Sequence, residues 1–178
     1  MTLMEKKEMI SKDLQPAIHL KETLRKRAEQ KLKNREVDWG ERKNIWLHSV
    51  NDLYEEIEQW FPDYEEEGFM VFDRSKEKTI SEKDIETYTI NILEIDIEGD
   101  IIVFEPIGTN VIGALGRIDV YLRGHKADQV MLLLTYQEEN YAESKQWTLL
   151  FEKSHFDFNK ARFEELLMMW FDEWSDEI

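Results

Sequence analysis

Charged side chains alternate with apolar ones along three segments in the middle of the chain. The candidate site residues there are Glu94, Asp96, Glu105, Arg117, Asp119 and Arg123. If the segments are neighbouring strands, the carboxylates on one face have the oxygen ligands that Mg²⁺ needs for phosphodiester hydrolysis. The alternative is a solvated sheet face whose opposite charges pair across strands, each pair contributing at most about 1 kcal/mol. We favour the second interpretation and predict no bound metal.

One part of this pattern resembles a known nuclease core. The segment GRID at residues 116–119, followed by the apolar run VMLLLTY, is similar to the core of the PD-(D/E)XK nucleases. The resemblance implies that Asp119 is the first metal-binding acid and that Glu55 or Glu56 supplies the helical one. The family's E-x-K pair would fall within residues 133–137, where this chain has neither Glu nor Lys. The resemblance therefore implies a metal-dependent phosphoesterase or nuclease-like fold with a degenerate site.

A glycine-rich segment, PIGTNVIGALG, precedes the GRID strand and suggests a second kind of site. Its consecutive backbone N–H groups could bind an anion, although it lacks the residues that complete a P-loop or a dinucleotide site. We interpret Gly108, Gly113 and Gly116 mainly as turn residues between strands. The chain has no Cys, and its four His have no metal-ligand spacing,. We predict no cofactor and assign no catalytic residue.

A sheet has to position these side chains, and the alternation predicts one. The predicted strands are 68–74, 88–97, 101–106, 117–123, 128–136 and 146–153. The alternation slips near Ile92, which suggests a bulge, and Glu98-Gly99-Asp100 predicts a hairpin turn. The unbroken apolar run 130–134 is typical of a strand that is covered on both faces. The sequence thus predicts a mostly antiparallel β-meander of five to six strands.

Three helices are predicted around this meander. Residues 17–34 follow Pro16, which suits the first turn of a helix. Residues 38–61 carry an apolar stripe at helical spacing, and Pro62 follows it. Residues 160–174 predict an amphipathic C-terminal helix with Phe163 and Trp170 on one face. Helices first, a meander next and a helix last predict the α+β class.

The charge of the chain is divided unequally along its length. Residues 1–35 carry ten Lys or Arg and five Asp or Glu, and are therefore +5. The whole chain is −16, so residues 36–178 carry −21. We predict a basic helical arm at 1–35 and a single acidic α+β domain at 36–178. Arg25, Lys26 and Arg27 are the candidate binding residues of the arm.

These charges limit the classes of partner that the chain can bind. A body at −21 is repelled by phosphate backbones and anionic lipid, so we expect neither nucleic-acid binding by the body nor a membrane. The absence of Cys and of an apolar leader predicts a cytoplasmic protein. The leading hypothesis is a module that binds and regulates or neutralises a protein with a basic surface. The alternatives are a scaffold or homo-oligomer assembled through the arm, and the degenerate phosphoesterase.

Overall fold

The computed structural model describes residues 14–35, 38–137 and 144–175. The chain divides into two compact units, one within residues 1–38 and the other within residues 39–178. No helix in the described ranges is long and apolar enough to cross a lipid bilayer.

The first unit contains helix α1, Leu14–Arg35. Its Pro16 lies in the first turn, where a missing N–H costs nothing because that donor has no intrahelical partner. Leu20 and Leu24 lie one turn apart and are 58% and 53% exposed. The charged residues 25–27 are exposed as well. The helix thus presents an apolar seam between basic side chains.

The second unit begins with helix α2, Trp39–Trp60, and the short helix α3, Pro62–Glu66. The apolar stripe predicted for α2 is its buried face, formed by Trp46, Val50, Leu53, Tyr54 and Ile57. The interruption at Pro62 reflects its missing N–H, which cannot donate back into α2. Residues 65–67 form the end of α3 and its C-terminal cap.

Nine strands follow. They are β1 Met70–Asp73, β2 Glu77–Glu82, β3 Ile85–Asn91, β4 Leu93–Ile97, β5 Asp100–Gly108, β6 Gly116–Leu122, β7 Val130–Gln137, β8 Ser144–Phe151 and β9 Ser154–Asp157. Seven form one sheet in the order β1-β4-β5-β6-β7-β8-β9, while β2 and β3 form a separate hairpin. All pairings are antiparallel. Helix α4, Lys160–Ser175, closes the described chain, which confirms the predicted α+β class.

The strand count and one strand boundary differ from the sequence-based predictions. The described strands number nine rather than five or six. Residues 88–97 are not one bulged strand, because β3 pairs with β2 while β4 pairs with β1 and β5. The slip in alternation at Ile92 therefore marks a change of sheet. The hairpin at 98–99 is confirmed, with Ile97 opposite Asp100.

The core lies between one face of the large sheet and the helices α2 and α4. Trp46 of α2 packs directly over Gly116 of β6. Phe163 of α4 packs edge-on against Phe104 of β5, with the ring centroids 5.6 Å apart. The opposite face of the sheet carries the charged residues. Met131 and Leu133 point to that face and are partly buried, so β7 is fully covered on the core face and only partly covered on the outer one.

Candidate functional site

The predicted site residues of the sheet lie on its outer face, the face opposite α2 and α4. The register places Glu105 of β5 directly opposite Asp119 of β6. Glu94 and Asp96 of β4 follow on the same face, because alternate residues of a strand point the same way. Arg117 and Arg123 flank Asp119 along the strand. The structure therefore brings these six residues to one surface, the charged sheet face.

Glu94 is the most enclosed carboxylate at the β4 side of this face. Its Oε1 accepts a hydrogen bond from Lys76 Nζ at 2.7 Å and pairs with Arg123. Burial alone would raise the pKa of Glu94, but the two cations outweigh it and the pKa lies below its usual range. This carboxylate is held ionised between two cations.

Glu105 lies in a similar arrangement one strand away. Its two oxygens accept hydrogen bonds from Lys78 at 2.7 Å, from the Tyr121 hydroxyl at 3.0 Å and from Lys126 at 3.3 Å. Burial opposes ionisation here as well, yet these donors lower the pKa of Glu105. Burial and the neighbouring carboxylate raise the pKa of Tyr121 to about 12. Glu105 thus joins the β2–β3 hairpin to the large sheet.

Asp119 is 4% exposed and forms a two-pronged ion pair with Arg117. The Arg117 Nε and Nη2 atoms lie 2.7 and 3.1 Å from the two carboxylate oxygens. Glu55 and Glu56 are on α2, which packs on the other face of the sheet. The structure therefore does not bring the acids suggested by the nuclease resemblance together.

The remaining predicted residues have local roles. Asp96 Oδ1 accepts a hydrogen bond from the Gly99 N–H at 2.8 Å, which closes the β4–β5 turn. Arg25, Lys26 and Arg27 lie on α1 in the first unit and are exposed. Among the described residues, no group of three His, Asp or Glu is arranged to hold a metal ion. The charged sheet face is, on this geometry, a set of structural ion pairs.

We expect Glu94→Gln to lower stability at neutral pH by about 1–2 kcal/mol, because two charge-assisted contacts are weakened. A depressed folded-state pKa adds stability above the unfolded value of about 4.3, and this is lost as pH falls through the folded pKa. Urea unfolding of both proteins at pH 7, 5 and 3.5 measures the difference. The difference in unfolding free energy between the two proteins should become smaller at the lowest pH. A gap independent of pH would show that the ionised form of Glu94 contributes nothing.

The glycine-rich segment already holds an anion, a carboxylate of the chain itself. Glu82 Oε1 accepts hydrogen bonds from the backbone N–H groups of Thr109 and Asn110 at 2.6 and 2.8 Å. The Tyr88 hydroxyl donates to Glu82 Oε2 at 2.8 Å. Arg42 Nη2 of α2 donates to the Thr109 carbonyl at 2.7 Å. The consecutive amides that suggested an anion site therefore bind β2 to this loop.

A groove of about 440 Å³ runs between α2 and the strands β7 and β8. Its floor is apolar and includes Ile45, Leu53 and Trp147. Asp52 and Glu56 stand at its edge and are exposed. His48 and Lys145 also line it. Since Ile45, Asp52 and Glu56 lie at i, i+7 and i+11, they follow one stripe along α2. We call this feature the acidic groove.

Our sequence-based predictions missed the acidic groove, although its signal is visible in the chain. Between Lys43 and Arg74 there are nine Asp or Glu and no Lys or Arg. Of these acids, Glu58 is half-buried and pairs with Arg74 at 2.9 Å. Others lie on and after α3, where residues 63–67 are exposed. The long stretch without Lys or Arg is therefore the sequence signal that indicates the acidic groove.

No family model, no curated protein and no solved structure matches this chain. Function is therefore inferred from the geometry of the chain itself.

Proposed function

We propose that the acidic domain is a protein-interaction module whose acidic groove binds a basic segment of a protein partner. The observation that carries this proposal is a groove with an apolar floor and exposed carboxylates along α2, on a stretch of chain that lacks Lys and Arg, with Lys145 on the β8 side. An apolar floor supplies contact energy, since burying nonpolar surface contributes about 25 cal/mol per Å². Carboxylates at the edge steer a cationic partner and reject anionic ones.

The form of the groove favours a helical partner. It runs along α2, so a second helix can lie beside it and insert side chains spaced one turn apart. Such a helix would present apolar residues to the partly exposed Ile45 and Trp147 and cations to Asp52 and Glu56. The resulting contact would sequester or regulate the basic segment. The charged sheet face supports this role indirectly, because its ion pairs fix the sheet against which the groove is built.

The degenerate phosphoesterase has no comparable support. Its candidate acids Glu94, Glu105 and Asp119 are each engaged by Lys or Arg. A metal would have to displace those cations from partly buried positions. We therefore favour the interaction module over the phosphoesterase.

Reversing the charge at the groove should strongly weaken the binding of a basic helix. The probe is a synthetic amphipathic peptide with Leu at every fourth position and flanking Arg, measured by fluorescence anisotropy at about 50 and 300 mM salt. We expect Asp52→Lys with Glu56→Lys to weaken binding at least roughly tenfold, a loss of about 1.4 kcal/mol. Binding by the unchanged protein should weaken at high salt, because exposed charges are screened.

A matched control separates the groove from net charge alone. Glu77→Lys with Glu86→Lys makes the same change of charge at exposed positions on β2 and β3. This control should bind the peptide nearly as well as the unchanged protein does. Equal losses in the two variants would mean that the groove has no specific role. No binding by the unchanged protein would overturn the proposed function.

A further inference from the structure

The basic amphipathic helix that the acidic groove requires is present in the same sequence. Helix α1 has Leu20 and Leu24 one turn apart and exposed. At about 100° per residue, Lys21 and Arg25 follow this seam on one side and Arg27 follows it on the other. Lys26 lies on the back of the helix. The apolar seam of α1 is therefore complementary to the apolar floor of the groove, and its flanking cations are complementary to the carboxylates at the edge.

The dimensions also agree. A rise of about 1.5 Å per residue makes the 22-residue α1 roughly 33 Å long,. The stripe from Ile45 to Glu56 is about 17 Å long by the same rise. Three turns of α1 are thus enough to cover the groove. Leu20 and Leu24 are separated by about 6 Å along α1, the same rise that separates Asp52 from Glu56 along α2.

We infer that the groove of one copy binds helix α1 of a second copy, so that the protein self-associates by exchanging its basic arms. This inference rests on the proposed function of the groove and names its occupant. In a pair of copies, each would offer one helix and one groove, and the two identical contacts would close the assembly. The second contact would form at high effective concentration and strengthen the first.

Sedimentation velocity and light scattering on the full chain, at low and at moderate salt, test the inference. We expect a concentration-dependent dimer that weakens as salt is raised. Arg25→Glu should weaken self-association roughly tenfold, equivalent to about 1.4 kcal/mol. Lys26→Glu makes the same charge change on the back of the helix and should have little effect. Equal effects of the two variants, or a monomer at every concentration, would overturn the inference.

A charge-exchange experiment provides the decisive test. One variant carries Arg25→Glu with Arg27→Glu, and the other carries Asp52→Lys with Glu56→Lys. Each should be monomeric alone, because its own helix and groove repel. Mixed together, they should form a heterodimer, because each reversed element meets its complement. Failure of the mixture to associate would overturn the inference.

These results are distinguishable from failure of the proposed function. A full chain that stays monomeric but binds the synthetic helix, with loss in the groove variant only, would leave the proposed function standing and remove the second copy as occupant. A dimer insensitive to the groove variant, together with no peptide binding, would overturn both. Circular dichroism of each arm variant checks that α1 remains helical.

Discussion

Alanine at Gly116 is expected to destabilise the domain by about 3 kcal/mol, the upper part of the range for overpacked cores. A Cβ at this position would lie closer than 3.0 Å to two ring carbons of Trp46. Neither side can give way easily, since Trp46 is fully buried and Gly116 is held opposite Leu134 in the sheet. Thermal and urea unfolding would measure the loss directly.

A double-mutant cycle shows whether the ring is the cause. Trp46→Leu alone opens a cavity and should itself be costly. In the double variant the new methyl group has space. The loss of unfolding free energy in the double variant should therefore be smaller than the sum of the losses in the two single variants. Gly113→Ala is the control, because nothing lies within 4 Å of its Cβ position. It should cost only about 1 kcal/mol, through the positive φ of Gly113,. Additive losses in the cycle would contradict the packing argument.

This contact shows how far the sequence determines the fold. Gly116 was interpreted as a turn residue, yet its φ is not positive and its role is to admit Trp46. The two residues are far apart in sequence, and nothing local to either predicts their contact. By contrast, the β4–β5 hairpin follows from alternation and a predicted turn at residues 98–100, and the structure pairs Ile97 with Asp100 across that turn,.

The β2–β3 hairpin could not be predicted, for a related reason. Strand β2 is mostly polar, and Ile80 is its one buried aliphatic residue. Its place is determined by Lys78 and Glu82, which reach β5 and the loop after it. Charged residues with distant partners look like an exposed loop in the sequence. The slip at Ile92 was visible, but only the pairing of each strand distinguishes a bulge from a change of sheet.

The candidate site was predictable in part. The six residues of the charged sheet face were assigned to one surface from alternation alone, and the structure places them there. Their mutual pairing is the interpretation that the sequence favours over metal binding. The acidic groove needs α2 to meet Trp147, a contact across about a hundred residues that periodicity does not encode. Its acids, however, are a feature of the sequence itself.

Glu82→Ala should be the second strongly destabilising change, with an expected loss of about 3 kcal/mol. Hydrogen bonds to a charged group contribute roughly 1.5–3 kcal/mol each, and buried donors left without an acceptor add a penalty. Thr109, whose N–H donates to Glu82, is 1% exposed. Glu82→Gln keeps one acceptor oxygen and should lose less. Urea unfolding at neutral pH ranks the three proteins.

Removing this carboxylate should also turn the glycine-rich loop into a real anion site. The backbone N–H groups of Thr109 and Asn110 would then converge on an empty position. The neighbouring Gly108 leaves room for an anion there, because a Cβ added to it would lie only 2.6 Å from the place of Glu82 Oε1. Sulfate at matched ionic strength should therefore stabilise Glu82→Ala more than it stabilises the unchanged protein, by mass action on the folded state. Chloride controls for screening. Equal stabilisation of both proteins would mean that the loop loses its shape without Glu82, so that the carboxylate builds the anion site as well as filling it.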